Sequence, residues 1–319
     1  MNLEDKKIAI LSITNNGREL ALKIKESMKN VDVFFIKKDT DYKNDEVIVV
    51  NQGLKEFIPQ VFDKYDYLVF IMATGIVVRT IAPLIISKFS DPAILVMDEK
   101  GNNIISLLSG HMGGANEMTL YLSHLIDANP VITTATDVNN KSSLDMIAKN
   151  LNGYIENFRD NVLKINSMIV NNKPVGLFLD GDYHIDTRGF TLLTYDDMLN
   201  LNHTNNKDLE NIETVVVVSN KRRLNFQSKK IIKLVPKDIV LGVGCKRNTD
   251  SQHMRESLQE FLEINNIDIN SIKTIGSIEI KKDEQAIIDL ANYLDVDFKT
   301  FTVQQISQVD YLYGKSEWV

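Results

Sequence analysis

The residues best suited to chemistry in this chain of 319 residues sit in four turns, each following an apolar, strand-like run. The richest is Ser109-Gly110-His111-Met112-Gly113-Gly114-Ala115-Asn116-Glu117. Glycines at 110, 113 and 114 let backbone approach a ligand closely. The helix that follows directs N–H groups at an anion, and His111 can move a proton near neutral pH. Ser109 and Gly110 open the turn, and Glu117 is placed in the first helical turn to reach back toward it. The same residues also make a plain strand-to-helix connection, with Glu117 as a favourable first-turn charge. A second turn, Thr133-Thr134-Ala135-Thr136-Asp137, offers the hydroxyls of Thr134 and Thr136 and the carboxylate of Asp137 at a strand end; helix capping is its structural alternative. A third is Thr74-Gly75, with Arg79 one helical turn further on, where a guanidinium can pair with a carboxylate or simply be solvated. The fourth runs from Gly242 through Gly244, Cys245, Lys246 and Arg247 to Thr249.

This fourth turn is not a P-loop, whose G-x-x-x-x-G-K-[ST] spacing is absent, nor a dinucleotide fingerprint, because Arg247 occupies the position of the third glycine. Cys245 as a nucleophile needs a neighbouring base; a small buried thiol is the alternative. Lys281, Asp283 and Glu284 read as a charged, solvated helix start. His124 falls on an apolar helix, packed or capping. His184, His203 and His253 have no partner at metal-ligand spacing, so no protein-bound metal is expected.

The elements that must position these turns read as alternating strands and helices. Strand-like runs cover 8–14, 33–36, 68–73 and 93–98. Asn15-Asn16-Gly17 reads as a turn, followed by Leu20, Ala21, Ile24 and Met28 at helical spacing. Gly101-Asn102-Asn103 is another turn. Then come a strand, the glycine loop, a helix, and a closing run over 131–137. Uninterrupted apolar runs suit parallel strands covered on both faces, which predicts an α/β layered domain over 1–140. The stretch 141–235 is rich in Asn and Asp, with a helix over 143–150 and short strands in VGLFL, TLLTY and VVVVS, and reads as a small middle α/β domain. A third α/β domain occupies 236–319, with strands in DIVLGVGC, TIGSIEI and FKTFT, a capping box from Thr249 to Gln252, and a last helix in VQQISQVDYLY.

Composition sets the frame. Hydrophobic residues make up 44% and charged residues 25% of the chain, at a formal net charge of −7. That is ordinary for a globular protein with real cores. The acidic balance argues against nucleic acid, and the apolar runs are too short to span a membrane. With one cysteine no intrachain disulfide is available, and no leader pattern precedes the first strand, so a cytoplasmic protein is expected.

Taken in order, the motifs resemble the cobalt-precorrin-5A hydrolase family of the anaerobic cobalamin pathway. ATGIVVRTIAPLI, DPAILVMDEKGNNIISLLSGHMGGANEMT and PVITTATDVN, with Asp145 following, resemble its N-terminal domain. VLGVGCKRNT and SIEIKKDEQAIIDLA resemble its C-terminal domain, which in the family continues past the point where GKSEWV looks like the start of a further strand–helix unit. The resemblance implies that a lactone on a cobalt-corrinoid intermediate is opened by water and acetaldehyde is released. It implies no organic cofactor, since cobalt arrives with the substrate. His111 or Glu117 is then the base, Gly113 and Gly114 donate N–H to an oxyanion, and Thr134, Thr136 and Asp137 orient water. Arg79, Lys246 and Arg247 hold peripheral carboxylates. The motifs fall in sequence-distant domains, so a cleft between them is the expected substrate site, and a homodimer is a candidate assembly. Two rivals are a non-catalytic corrinoid-binding protein, which binds but releases no acetaldehyde, and a methyltransferase, for which no convincing methyl-donor site is seen.

Overall fold

The computed structural model describes residue 3 and residues 5–38, 41–88, 90–201, 207–226 and 230–312. His203 and the GKSEWV stretch lie outside the described residues. The chain divides into two compact units, Met1–Asn140 and Lys141–Val319.

The first unit is built from β1 (Ile8–Ser12), α1 (Asn15–Lys25), β2 (Val31–Ile36), β3 (Val47–Val50), α2 (Leu54–Val61), β4 (Tyr67–Ile71), α3 (Thr74–Ile81), β5 (Ala93–Met97), β6 (Asn103–Leu108), α4 (Ala115–Ile126), β7 (Asn129–Val131) and α5 (Ala135–Val138). Its seven strands lie in the order β3-β2-β1-β4-β5-β6-β7. Successive strand residues serve opposite layers. Ile8, Ile10, Val69 and Ile71 pack with Ala21 and Ile24 of α1 and Met118 and Leu122 of α4. Ala9, Leu11, Leu68 and Phe70 pack with Phe57 and Ile58 of α2 and Val77 and Ile81 of α3. The period of two is the pleat, and two covered faces explain why these strands are apolar throughout.

One pairing departs from the rest. β1 to β5 are parallel, but β6 runs antiparallel to β5, and β7 is parallel to β6. The carboxyl ends of β6 and β7 therefore emerge at the edge where β1, β4 and β5 begin. The reversal is set by the short turn after Asp98, whose carboxylate accepts hydrogen bonds from the backbone N–H of Lys100, Asn102 and Asn103. Two smaller expectations also change. Asn15-Asn16-Gly17 is no turn but the first turn of α1, capped by Thr14, whose hydroxyl accepts from Gly17 N–H. The run 131–137 is only briefly strand, and its second half is α5.

The second unit continues with α6 (Leu144–Asn150), β8 (Tyr154–Ile155), α7 (Phe158–Val170), β9 (Val175–Leu179), β10 (Thr191–Leu193), α8 (Tyr195–Asn200), α9 (Lys207–Glu210), β11 (Thr214–Val218) and β12 (Lys230–Val235). These form a five-stranded sheet, β10-β9-β11-β12-β8, parallel except for β8. Then follow β13 (Ile239–Gly242), α10 (Ser251–Ile264), β14 (Ile272–Ile278), α11 (Gln285–Leu294), β15 (Asp297–Phe301) and α12 (Val303–Ser307), whose strands form a parallel three-stranded sheet, β13-β14-β15. α10 and α11 cover one face of it through Met254, Leu258, Ile287 and Leu290. The cap of α10 is Asp250, which accepts from His253 N–H; Thr249 instead donates to the Lys246 carbonyl, so the expected box from Thr249 is not formed. The last helix stops at Ser307, with a separate 3-10 turn at Asp310–Leu312. The two sheets of this unit are joined by a bridge between Lys221 and Ile267 and by Lys233, which pairs with Asp268 at 2.6 Å.

Candidate active site

Because β6 is reversed, the glycine loop after it and α5 after β7 come together at one edge of the first sheet. His111 Nε2 lies 2.8 Å from Asp137 Oδ2 and 2.9 Å from Thr136 Oγ1. The His111 side chain is 18% exposed and that of Asp137 42%, so the pair is half-sheltered and open to a ligand. Behind it stands Asn116, 6% exposed. Its amide nitrogen donates to Asp137 Oδ2 at 2.9 Å and to Thr134 Oγ1 at 3.0 Å, and its Oδ1 accepts from Ser106 Oγ at 2.6 Å. Strand β6, helix α4 and the α5 turn are thus tied through one side chain. Selecting by chemistry picks out His111 and Asp137 and passes over Asn116, since an asparagine titrates no proton. Its signal is positional: it lies one helical turn from the loop glycines, where only a short amide reaches both neighbours.

The loop is folded tightly on itself. Ser109 is in the left-handed region (φ 57°), as is Gly114 (φ 88°). The N–H groups of Gly114, Ala115 and Asn116 donate to the carbonyls of His111, Ser109 and Gly110. The expected oxyanion donor at Gly114 is therefore already engaged within the loop. Ser109 is buried, and its hydroxyl donates to the Asp91 carbonyl, so it anchors the loop to the start of β5 rather than facing a ligand. Glu117 is exposed on α4. Burial, with the charges of Glu117 and Asp66 adding to it, pushes the Tyr67 phenol up to about 12. Glu117 thus faces the start of β4, where it acts on Tyr67.

A cavity of about 490 Å³ opens against the loop, lined by Met112 and Gly113 and by Lys6, Lys7, Lys64 and Asp66. Lys6 bridges Asp66 at 2.7 Å. Burial alone would raise the Asp66 carboxyl, but the bonds from Lys6 and from Lys7 N–H outweigh it and hold it below the usual carboxylate range.

Thr74, Gly75 and Arg79 follow β4 at the other edge of the sheet. Of the three, Thr74 lines a second cavity of about 590 Å³, with Thr14, Ile76, Asp98 and Glu99 among others, where strand order reverses between β1 and β4. Arg79 is exposed and donates back to the Gly75 carbonyl at 3.0 Å. The sheet thus separates these three residues from His111 by the length of its strands.

In the second unit, Gly244, Cys245 and Lys246 line a cavity of about 580 Å³ beside α10, with Leu241, Val243, Met254, Leu258 and Phe261 on its walls. Arg247 is held outside by an ion pair with Asp283 at 2.8 Å. Glu284, read as a solvated charge, is 3% exposed and pairs with Lys281 at 3.5 Å. Asp145 is buried on α6 and accepts from Asn166. His124 bonds the Leu120 carbonyl on its own helix. Among the described residues no three His, Cys, Asp or Glu side chains are grouped to hold a metal, and no helix is long and apolar enough to cross a membrane.

The chain is an α/β protein with a histidine–carboxylate pair at the edge of its first sheet. The family described as "Cobalamin synthesis G N-terminal" matches residues 56–137, "Cobalamin biosynthesis central region" matches 142–236 and "Cobalamin synthesis G C-terminus" matches 239–319. A cobalt-precorrin-5A hydrolase of Salmonella typhimurium is 37% identical over 317 residues, covering 98% of this chain and 86% of that one. One from Priestia megaterium is 28% identical, covering 94% and 81%. A solved structure of a cobalamin biosynthesis protein G homologue from Sulfolobus solfataricus is 23% identical, with a TM-score of 0.45, over 94% of this chain and 81% of that one. The chain belongs to the cobalt-precorrin-5A hydrolase family.

Proposed function

We propose that the chain is a cobalt-precorrin-5A hydrolase in which His111 is the general base. Family membership gives the substrate, and the partly exposed His111–Asp137 pair, on a loop whose next residues Met112 and Gly113 line an open cavity, is the observation that supports the assignment of the base. His111 takes a proton from water as the water oxygen attacks the carbonyl of the δ-lactone that joins the ring-A acetate to C20. The tetrahedral oxyanion collapses and breaks the bond to the C20 oxygen, which takes the proton back from the imidazolium. The products of this step are an alcohol at C20 and a carboxylic acid, which gives up its proton to solvent and stands as a carboxylate. In the second step the alcohol loses its proton, C=O forms as the bond from C20 to the ring breaks, and a ring carbon takes up a proton. Acetaldehyde leaves with C20 and its methyl group, giving cobalt-precorrin-5B.

Asp137 supports the first step by stabilising the imidazolium, as a carboxylate does for a histidine base. The Thr136 hydroxyl meets His111 Nε2 and the Thr134 hydroxyl accepts from Asn116, so both brace the ring on the side away from the attacking water. Glu117 and Arg79 take no part in this chemistry. No resident cofactor is invoked, since the cobalt belongs to the substrate.

Incubation with cobalt-precorrin-5A, with acetaldehyde trapped and product mass measured, tests the reaction. Release of acetaldehyde together with cobalt-precorrin-5B is expected. Binding without acetaldehyde would overturn the reading in favour of a corrinoid carrier. In the His111→Ala variant lactone opening is expected to fall at least about a hundredfold; an unchanged rate removes His111 from the role of base.

A further inference from the structure

We propose that Asn116 is a positioning residue that fixes His111 with its proton on Nε2 and so makes Nδ1 the basic nitrogen. This rests on the reading of His111 as base and names the part of the site that sets its tautomer. The amide orientation of Asn116 follows from its partners. An ionised carboxylate only accepts hydrogen bonds, so the group 2.9 Å from Asp137 Oδ2 is the amide NH₂. Its other hydrogen points to Thr134, and the carbonyl oxygen receives the Ser106 hydroxyl. One acceptor and two donors, all matched within a buried site, leave no alternative rotamer of equal standing.

The amide therefore steadies Asp137 Oδ2, the same oxygen that faces His111 Nε2 at 2.8 Å. A lone pair on Nε2 at that distance from a carboxylate oxygen is repelled, whereas an N–H is attracted. Nε2 carries the proton, with Thr136 Oγ1 as a second, weaker acceptor at 2.9 Å. Without Asn116, a 42% exposed carboxylate turns toward water and the preference between ring nitrogens is lost. The charged groups on the elements around the ring are Asp137 on α5, Glu117 on α4 and Asp91 before β5. Asp91 is engaged by the N–H groups of Ile86 and Ser87.

The test uses the full chain labelled with ¹⁵N-histidine, with His111 signals assigned through His111→Gln. In the unaltered protein above the histidine pKa, the Nε2–H tautomer is expected at His111. In Asn116→Asp the two amide donors are gone and a second carboxylate lies against Asp137. The imidazolium is then favoured, so the acid limb of the kcat profile should move up by about one pH unit. A fall of at least about tenfold in kcat, with KM within about twofold, is expected alongside. A His111 that carries its proton on Nδ1 in the unaltered protein overturns the inference, as does an acid limb that stays in place. Reading the tautomer needs no substrate, and His111→Gln serves only to assign the signal. Its failure is therefore distinct from failure of the hydrolase reading, which shows as absent acetaldehyde.

Discussion

A methyl group on Gly113 would sit 2.5 Å from Ser109 Cβ and 2.7 Å from the Ser109 carbonyl oxygen, and one on Gly110 would sit 2.7 Å from Asn116 Oδ1. The first pair of neighbours is fixed to backbone and cannot step aside. Gly113→Ala is therefore expected to destabilise the protein by about 1–3 kcal/mol, as overpacking does, and to reduce kcat. Gly110→Ala should cost kcat more than stability, because the atom displaced is the side-chain hub behind Asp137. Gly244 gives the opposite case, with nothing within 4 Å of an added Cβ. Gly244→Ala should leave the unfolding free energy from urea titration within about 0.5 kcal/mol of the parent, so any rise in KM there reads ligand contact alone. A Gly113→Ala protein as stable and active as the parent would mean that the loop is not closed as described. At this scale the sequence was informative where residue type carries chemistry. His111, Thr134, Thr136 and Asp137 were visible as candidates, and the fold joins His111 to both Thr136 and Asp137. What glycine spacing does not reveal is which N–H groups stay open. Of the two named for an oxyanion, Gly113 and Gly114, the N–H of Gly114 is used within the loop itself, as are those of Ala115 and Asn116.

The hairpin from β5 to β6 decides where everything after it stands. Its turn is held by Asp98, whose carboxyl burial alone would raise; three backbone N–H donors and the Asn103 side chain instead hold it below the usual range. A carboxyl with a lowered folded pKa contributes stability that is whole above its unfolded pKa of about 4 and is lost as pH falls through the folded value. Asp98→Ala is thus expected to lower stability by on the order of 1–2 kcal/mol at neutral pH. The gap from the parent should narrow on acidification below about pH 4. A gap that persists unchanged at low pH would assign the loss to packing rather than to the charged turn. Strand existence was legible here from apolar runs. Strand direction was also legible, though by a different rule: parallel neighbours need a crossover of about a dozen residues or more. Only 98–102 separate β5 from β6, so the reversal was written in loop length, not in residue chemistry. Assuming that every strand-end turn shares one edge puts Arg79 beside His111; counting the loop separates them.

Over the whole chain, the three sheets group as one unit plus a joined pair, and the joint is local and polar. Lys233 reaches both Asp268 and the Lys221 carbonyl, and Asp268 N–H donates to the Asn220 carbonyl. Asp268 and Lys233 are both mostly buried, at 16% and 21% side-chain exposure, so removing one leaves the other's charge uncompensated. Asp268→Ala should cost on the order of 2–3 kcal/mol and split calorimetric unfolding of the second unit into two transitions; a single transition at the parent's temperature would dismiss the joint. None of this was readable beforehand, because Lys221 and Asp268 are far apart in sequence and each looks like an ordinary surface charge. The reversed pair of strands in the first unit has a different consequence. Every side chain of the histidine network lies between Ser106 and Asp137, while the sheet at whose edge it stands pairs strands as distant in sequence as β1 and β4, Ile8 beside Tyr67. The reactive groups are thus a contiguous cassette set upon a scaffold of long reach. Exchanging residues 103–138 between relatives would transplant the proton-transfer apparatus entire and leave the opposite rim to the host, save for Asn103, Ile105 and Val131 on the wall of its cavity.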